Sequence, residues 1–172
     1  MQNNLLTTRL GDTGKKLVRD YFLRKGYTIS PCTTGEHFVD FLASSKTQTK
    51  KILVRTDTYM YTTGNIFLER FMNRADIADV EEGWFFSDNP DMLAYLDAFG
   101  GNLYFFDWKK LKQHAIRHYR ATIFNNSIDN ATEGDGYLIP IRELMKSDAF
   151  RCHTKINVLP LACMIPNKPN PF

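Results

Sequence analysis

Four charged side chains within apolar parts of the sequence between residues 37 and 71 could do chemistry. They are Asp40, Arg55, Asp57 and Glu69. A carboxylate inside an apolar segment is costly unless a metal ion, a cation or several hydrogen-bond donors meet it. Acids beside a cation are also what a metal-dependent phosphodiesterase needs, because the acids hold the ion and the cation stabilises the phosphate charge. We therefore take these four side chains as candidate catalytic residues.

The three acids Asp40, Asp57 and Glu69 are also the candidate metal ligands, with Glu36 as a further one. Carboxylate oxygens suit Mg²⁺ or Mn²⁺ better than zinc. The cysteines Cys32, Cys152 and Cys163 form no recognised zinc spacing with His153. A buried ion-pair network that only fixes strand register is the alternative interpretation of the same residues.

The elements that must position these residues are predicted to be strands. Alternation from residue 36 to 42 puts Asp40 between apolar positions on both faces, as in a sheet covered by helices. The polar run 45–50 predicts a turn, and residues 51–57 predict a second strand that presents Arg55 and Asp57 on one face. Thr62–Asn65 is a turn signal before a third strand that ends near Glu69. If these strands pair, the four side chains converge at one end of the sheet.

These segments resemble the PD-(D/E)XK nuclease family, which includes archaeal Holliday-junction resolvases and many phage and restriction nucleases. The resemblance runs from Gly11–Val18 through Arg24–Tyr27 to Glu69. It includes an acid that is followed, after a short spacer, by T-G-N-[IF]-x-x-E, a pattern of some phage and plasmid members. This chain matches that pattern between Asp57 and Glu69. It implies an α/β fold, with a mixed β-sheet flanked by helices and a restriction-endonuclease-like core. It also implies DNA, duplex or branched, as the partner, Mg²⁺ or Mn²⁺ as the cofactor of an active enzyme, and a homodimer as in resolvase-like relatives.

Departures from the family pattern fall on the catalytic positions. Asp40 stands at the position of the family's metal-binding Asp. At the family's E-x-K motif, however, this chain has Leu53-Val54-Arg55, so leucine replaces the acid and arginine replaces the lysine. Lys15 stands where the family has an acid on its first helix. Leucine cannot ligate a metal, and arginine keeps a positive charge without shuttling a proton. The extra cation favours a phosphate over a divalent ion. The resemblance therefore implies a largely eroded catalytic site, or an active one in which Asp57 and Glu69 supply migrated ligands.

Two predicted helices contain most of the candidate nucleic-acid contacts. The first is expected from Asp12 or Thr13 to about Lys25, with Gly26 just past its end. In the resembled fold this helix lies close to the site, so Lys15 and Arg19 become phosphate contacts.

The second helix is predicted from Trp108 to about Arg120, with Asp107 as its cap. Its candidate contacts are Lys109, Lys110, Lys112 and Arg117. Such one-sided positive charge is typical of a surface that binds the phosphate backbone. A solvated helix face, or a helix that balances the acidic segment 75–107, is the alternative.

The remaining elements are predicted less directly. Residues 83–86 and 102–106 are predicted to be buried strands, with a short helix or loop over 92–99 between them. Residues 125–136 are predicted to be a loop, followed by a strand at 137–139 and a helix that begins at Pro140. A last strand is expected over 155–159.

Length and composition limit the possible classes of protein. A chain of 172 residues that is 43% hydrophobic is expected to form one nuclease-like domain over 1–172, with an irregular tail from about residue 160. No stretch approaches the ~18 apolar residues that cross a membrane, and no secretory signal is visible. The sparse cysteines favour a reducing compartment, so we expect the protein to be cytoplasmic.

Three functions follow as hypotheses. The first is a nucleic-acid-binding protein with a nuclease-like fold and eroded catalysis. The second is an active Mg²⁺- or Mn²⁺-dependent endodeoxyribonuclease that uses Asp40, Asp57 and Glu69, with Arg55 at the scissile phosphate. The third is a protein-interaction module that uses the acidic segment 75–107, which contains Glu81 and Glu82 and no Lys or Arg.

Overall fold

The structure is a computed structural model that describes residues 2–32, 38–72, 81–125 and 133–164. Helices alternate with strands along the chain. In order, the elements are α1 (Gln2–Arg24), β1 (Thr28–Ser30), β2 (Phe41–Ser44), β3 (Thr49–Asp57), α2 (Met60–Thr63), β4 (Asn65–Met72), β5 (Glu81–Glu82), a 3₁₀ turn (Trp84–Phe86), β6 (Met92–Asp97), β7 (Asn102–Asp107), α3 (Trp108–His118), β8 (Thr122–Asn125), β9 (Glu133–Pro140), α4 (Ile141–Leu144), β10 (Phe150–Lys155) and α5 (Leu159–Ala162).

The strands form two sheets. The larger sheet has six strands in the order β1-β2-β3-β6-β7-β10, and the smaller has four in the order β5-β4-β9-β8. β3 and β6 run parallel, while β2 and β7 pair antiparallel to them on either side. A parallel pair needs a long connection, and here that connection contains α2, β4 and β5. The mixed α/β fold expected from the sequence is therefore confirmed.

The larger sheet is covered on both faces, which explains its nearly continuous apolar strands. On one face Val18 and Phe22 of α1 contact Ile52 and Val54 of β3 in one buried cluster. The opposite face packs against the smaller sheet and α3. Its buried cluster includes Leu53, Leu93, Tyr95, Ile66, Leu68, Trp108 and Leu111. Alternate residues of β3 thus belong to different cores, as the alternation in the sequence predicts.

The first helix ends where the sequence predicts but begins earlier. Gly26 adopts a positive φ of 83°, which a glycine just past a helix end tolerates best. The expected start at Asp12 or Thr13 is wrong, because α1 begins at Gln2. Leu10 extends the apolar stripe of the helix one turn further and packs against the core beneath it.

Several apolar segments adopt a different structure from the predicted one. Residues 92–97 form the strand β6 at the centre of the sheet, so the predicted short helix or loop is wrong. Residues 84–86 form a 3₁₀ turn instead of a strand, in which Trp84 and Phe85 are buried. Both segments are short apolar runs, whose periodicity alone does not separate helix from strand.

The chain around the predicted first strand and in the C-terminal third also differs. β2 begins at Phe41, so Asp40 precedes the strand instead of lying within it, and residues 33–37 lie outside the described ones. Residues 133–136 belong to β9 and not to a loop. The last strand is β10 over 150–155, so the predicted strand over 155–159 is wrong: residues 156–158 belong to no helix or strand, and α5 begins at Leu159.

Other predictions are confirmed by the structure. Asp107 caps α3, since its Oδ1 accepts a hydrogen bond from the Lys110 backbone N–H at 3.1 Å. The 102–107 strand and the 45–48 turn also form. No helix among the described residues is long and apolar enough to cross a membrane.

Gly14 lets α1 approach β3 closely. A Cβ atom at this position would lie 1.8 Å from Thr56 Oγ1 and 3.0 Å from Thr56 Cβ. Rotating the Thr56 side chain does not remove the clash, because its Cβ would still lie 3.0 Å away and β-branching limits its rotamers. The approach fixes Lys15, the next residue, against the end of β3.

We expect Gly14→Ala to destabilise the protein, with the unfolding free energy falling about 2 kcal/mol below that of Gly11→Ala. Gly11 is the matched control, since it lies in the same helix and an added Cβ meets no atom within 4 Å. There alanine gains helix propensity of about 1 kcal/mol. Urea unfolding of the two variants measures the difference, and equal stability would contradict the close approach.

Candidate nucleic-acid interface

Asp40 lies just before β2 begins, at the point beyond which β3 no longer pairs with β2. Its backbone N–H donates to Ile52 O at 2.8 Å, and its Oδ2 accepts from the Val54 backbone N–H at 2.6 Å. The carboxylate thus accepts from β3 in the place of a further strand residue before Asp40. The other oxygen, Oδ1, lies 2.9 Å from Lys15 Nζ of α1. Two residues earlier Phe38 has φ 62°, a strained value for a bulky residue, as the chain enters this turn.

Arg55 follows Val54 on β3 and points to the opposite face of the sheet from α1. Its guanidinium carbon lies 4.8 Å from the ring centroid of Trp84, and its NH1 donates to Val54 O at 3.2 Å. Burial lowers the pKa of Arg55, against the opposing influence of Asp40 and Glu69. The side chain nevertheless stays charged, because the pKa of arginine begins so high.

Glu69 reaches Arg55 from the smaller sheet. It lies on β4, and a Cβ atom at Gly83 would come within 2.6 Å of Glu69 O and 2.9 Å of its Cγ. The absence of a side chain at Gly83 therefore makes room for Glu69. Burial raises the pKa of the Glu69 carboxyl, and the nearby Arg55 charge opposes that shift.

Asp57 has a different environment at the end of β3. Its Oδ1 accepts hydrogen bonds from the backbone N–H groups of Tyr59 at 2.6 Å and Met60 at 3.0 Å. Its Oδ2 accepts from the Tyr95 hydroxyl of β6, which itself accepts from the Phe67 N–H of β4 at 3.0 Å. Burial and the Asp57 carboxylate raise the pKa of Tyr95 well above its ordinary value. Asp57 thus ties together β3, α2, β6 and β4.

Of the four predicted residues, the structure brings the charges of Asp40 and Glu69 within electrostatic reach of Arg55 and links Asp57 to it indirectly. Asp40 and Glu69 act on Arg55, while Asp57 is connected through Tyr95, whose hydroxyl it binds. β4 does not pair with β3 but lies in the smaller sheet, so the predicted pairing of the three strands is wrong in this respect. The convergence arises from packing between the sheets.

The donor set does not resemble a divalent-ion site. Each oxygen of Asp40 and of Asp57 already accepts a hydrogen bond or an ion pair. Within residues 2–32, 38–72, 81–125 and 133–164, no three His, Cys, Asp or Glu side chains are grouped so as to hold a metal ion. Glu36 lies outside these ranges. Metal binding by Asp40, Asp57 and Glu69 stays a prediction, and no chemical step is derived from it.

The cations of α3 are partly used within the molecule. Lys112 Nζ lies 2.6 Å from Asp88 Oδ1, and Lys110 Nζ lies 3.2 Å from Asp148 Oδ2. The Lys112 side chain is only 16% exposed, whereas Lys109 and Arg117 are exposed. Asp88 belongs to the acidic segment 75–107, so α3 neutralises part of the negative charge of that segment. This is one of the alternative interpretations of the charge on α3. Glu81 and Glu82 of the segment remain exposed.

The two basic helices lie on opposite faces of the larger sheet. α1 packs against one face, while Trp108 and Leu111 of α3 belong to the core on the other. Lys15 and Arg19, one helical turn apart on α1, are the predicted contacts that adjoin the Asp40 site. Asp12 and Asp20 lie on the same side of α1 and reduce its net charge.

Sequence reasoning missed Trp84 and Tyr95, which complete the surroundings of Arg55 and Asp57. Trp84 lay in a segment predicted as a strand, and Tyr95 in one predicted as a helix or loop. The only signal available was an aromatic-rich apolar sequence beside the acidic residues, which does not specify a contact.

Comparison with known proteins supports the fold. No protein-family model matches the sequence, and no curated protein matches it. Among solved structures, the bacterial homing endonuclease I-Ssp6803I is similar, with a TM-score of 0.51 and 14% sequence identity. The match covers 62% of this chain and 72% of that one. The chain therefore has a nuclease-like fold.

The raised pKa of Glu69 makes stability depend on pH. A carboxyl whose folded pKa lies above its unfolded value stabilises the fold at low pH and loses that contribution as pH rises through the folded value. We expect the unfolding free energy of the wild type to fall relative to Glu69→Gln as pH rises from about 4 towards neutrality.

Urea unfolding across this pH range measures the effect, with Glu82→Gln as the control, because Glu82 is exposed on the neighbouring strand β5. That control should show no comparable trend. A wild type that gains stability over Glu69→Gln with rising pH would mean that attraction to Arg55 outweighs burial.

Proposed function

We propose that this protein binds DNA at the end of β3, through a nuclease-like fold whose catalytic centre is largely eroded. The observation that supports this most is the surroundings of Asp40. Its carboxylate contacts Lys15 at 2.9 Å from one side of the sheet and is near Arg55 on the other. An acid that is paired with one cation and lies within electrostatic reach of a second suits the phosphates of a backbone better than a divalent ion.

The exposure of the cations also supports phosphate binding. The Lys15 side chain is 40% exposed although it contacts Asp40, and Arg19 one turn later is exposed as well. Both side chains can therefore reach a phosphate without rearrangement of the backbone. The partner is proposed to be DNA because the fold is similar to that of a protein named as an endonuclease.

The residues at the other catalytic positions of the resembled family support the loss of catalytic function. Leu53 stands where the family has its second metal-binding acid, and it is fully buried in the core beneath the smaller sheet. Arg55 stands at the lysine position and is stacked on Trp84. Neither supplies the proton transfer or metal ligand expected at that position.

Salt-dependent binding tests the proposal. We expect gel-shift affinity for duplex, single-stranded or branched DNA to fall with salt, because cations that neutralise phosphates release counterions. Lys15→Ala/Arg19→Ala should weaken binding and reduce the slope of log affinity against log salt by about 2 for duplex DNA.

Lys46→Ala is the matched control, since Lys46 is exposed in the turn between β2 and β3, at the opposite end of β3 from Asp57. It should bind DNA as the wild type does. The proposal is abandoned if the wild type binds none of the three DNA forms in a salt-dependent way.

An active endonuclease is the second candidate, and one observation favours it. Asp40 and Glu69 both lie near the Arg55 guanidinium, an arrangement in which two acids flank a cation able to stabilise a scissile phosphate. If this candidate is right, plasmid cleavage in Mg²⁺ or Mn²⁺ should fall at least about a hundredfold in Asp40→Ala.

Asp40→Asn is the companion variant, because the amide oxygen still accepts from Val54 N–H while the charge is removed. It should lose cleavage equally. Equal cleavage by wild type and both variants would indicate a contaminating nuclease and end this candidate.

A further inference from the structure

The short helix α2 exposes two aromatic side chains at the end of β3. Tyr59 is 57% exposed and Tyr61 is 43% exposed, whereas Met60 between them is 4% exposed and lies in the core. Tyr61 meets Phe99 edge-on, with ring centroids 6.4 Å apart. The turn therefore anchors itself through Met60 and presents both tyrosines to solvent.

Hydrogen bonds fix the backbone of this turn. Asp57 Oδ1 binds the N–H groups of Tyr59 and Met60, and the hydroxyls of Thr62 and Thr63 donate to Tyr59 O at 2.9 and 3.0 Å. At the other end, Gly64 takes a left-handed φ of 68°, and its N–H donates to Met60 O at 2.8 Å. Aromatic rings on a fixed backbone lose little conformational freedom when they bind a partner.

The tyrosines adjoin the proposed phosphate contacts. Thr56, the residue before Asp57, is where Gly14 of α1 approaches β3, and Lys15 follows Gly14 directly. Exposed aromatic rings and an exposed ammonium thus lie at the same end of one strand. This is the combination by which proteins hold unpaired nucleotides, with cations on the backbone and rings on the bases.

The neighbouring residues argue against an ordinary protein contact. Thr62, Thr63 and Gly64 are exposed beside the tyrosines, so the surface of the turn consists of rings and hydroxyls without aliphatic side chains. The core of a protein–protein contact is usually more apolar than this. A nucleobase offers a flat π-face and polar edges, which match rings and hydroxyls.

We propose that Tyr59 and Tyr61 stack on unpaired nucleobases of a nucleic acid whose phosphates contact Lys15 and Arg19. This inference rests on the proposed function and names the form of nucleic acid that the site prefers. Bases in a duplex hide their faces in the stack, so the tyrosines add affinity for single-stranded segments and not for continuous duplex.

Equilibrium binding to a single-stranded oligonucleotide and to the duplex of the same sequence tests the inference. Tyr59→Ala and Tyr61→Ala should each weaken single-strand binding by about tenfold. Their duplex affinity should change by less than about twofold. Tyr59→Phe and Tyr61→Phe should retain single-strand affinity, because stacking needs the ring and not the hydroxyl.

Ile116→Ala is the control for loss of an exposed apolar side chain. Ile116 is 60% exposed on α3, which packs on the face of the larger sheet opposite α1. Its removal should leave both affinities unchanged.

The outcomes separate this inference from the proposed function. If the wild type binds neither oligonucleotide, the proposed function fails. If it binds but the alanine variants lose nothing, or lose single-strand and duplex affinity equally, the stacking inference is overturned and DNA binding stands. Concentration-dependent self-association that these variants abolish would also overturn it, since the tyrosines would then join two copies of the chain.

Discussion

The way in which the two sheets pack depends on the guanidinium of Arg55, which lies between them. A charge removed from water is costly unless opposite charges or aromatic faces surround it. The guanidinium of Arg55 lies over the ring of Trp84, and the charges of Asp40 and Glu69 act on it from two other segments of the chain. The environment of one side chain therefore depends on the start of β2, the strand β4 and the 3₁₀ turn together.

A second interaction complements the first at the end of β3. Asp57 receives hydrogen bonds from the turn of α2 and from Tyr95, whose hydroxyl also binds the backbone of β4. One carboxylate thus joins the larger sheet, the smaller sheet and the exposed tyrosine turn. Asp57, which the sequence suggests as a metal ligand, therefore has a structural role in holding these elements together.

Much of the fold was predictable from local patterns. The alternation in β3 places Leu53 and Val54 in different cores, and Gly26 and Asp107 mark helix ends by well-understood backbone chemistry. The central strand β6 was not predictable, because a short apolar run fits a helix or a strand equally well. The placement of β4 in a second sheet was also inaccessible, since a turn followed by a strand does not specify which neighbour the strand pairs with.

The candidate site was likewise predictable from the sequence only in part. Residue types identified Asp40, Arg55 and Glu69, because charge in an apolar segment requires a partner. The sequence did not show which partner each acid takes, and so it could not show that Lys15 and Val54 engage Asp40 or that Tyr95 engages Asp57. Likewise the positive charge of α3 was evident, but its pairing with Asp88 and Asp148 was not.

The central claim is that DNA contacts the end of β3 through Lys15 and Arg19, close enough to Arg55 for its signal to report binding. The most direct measurement is a titration followed by nuclear magnetic resonance, in which the Nε–Hε signal of Arg55, assigned by its loss in Arg55→Lys, is observed as DNA is added. The account predicts that this signal and the backbone signals of Lys15 and Arg19 shift together, while that of Lys46 does not. Shifts confined to α3, or an Arg55 signal that stays unchanged at saturating DNA, would contradict it.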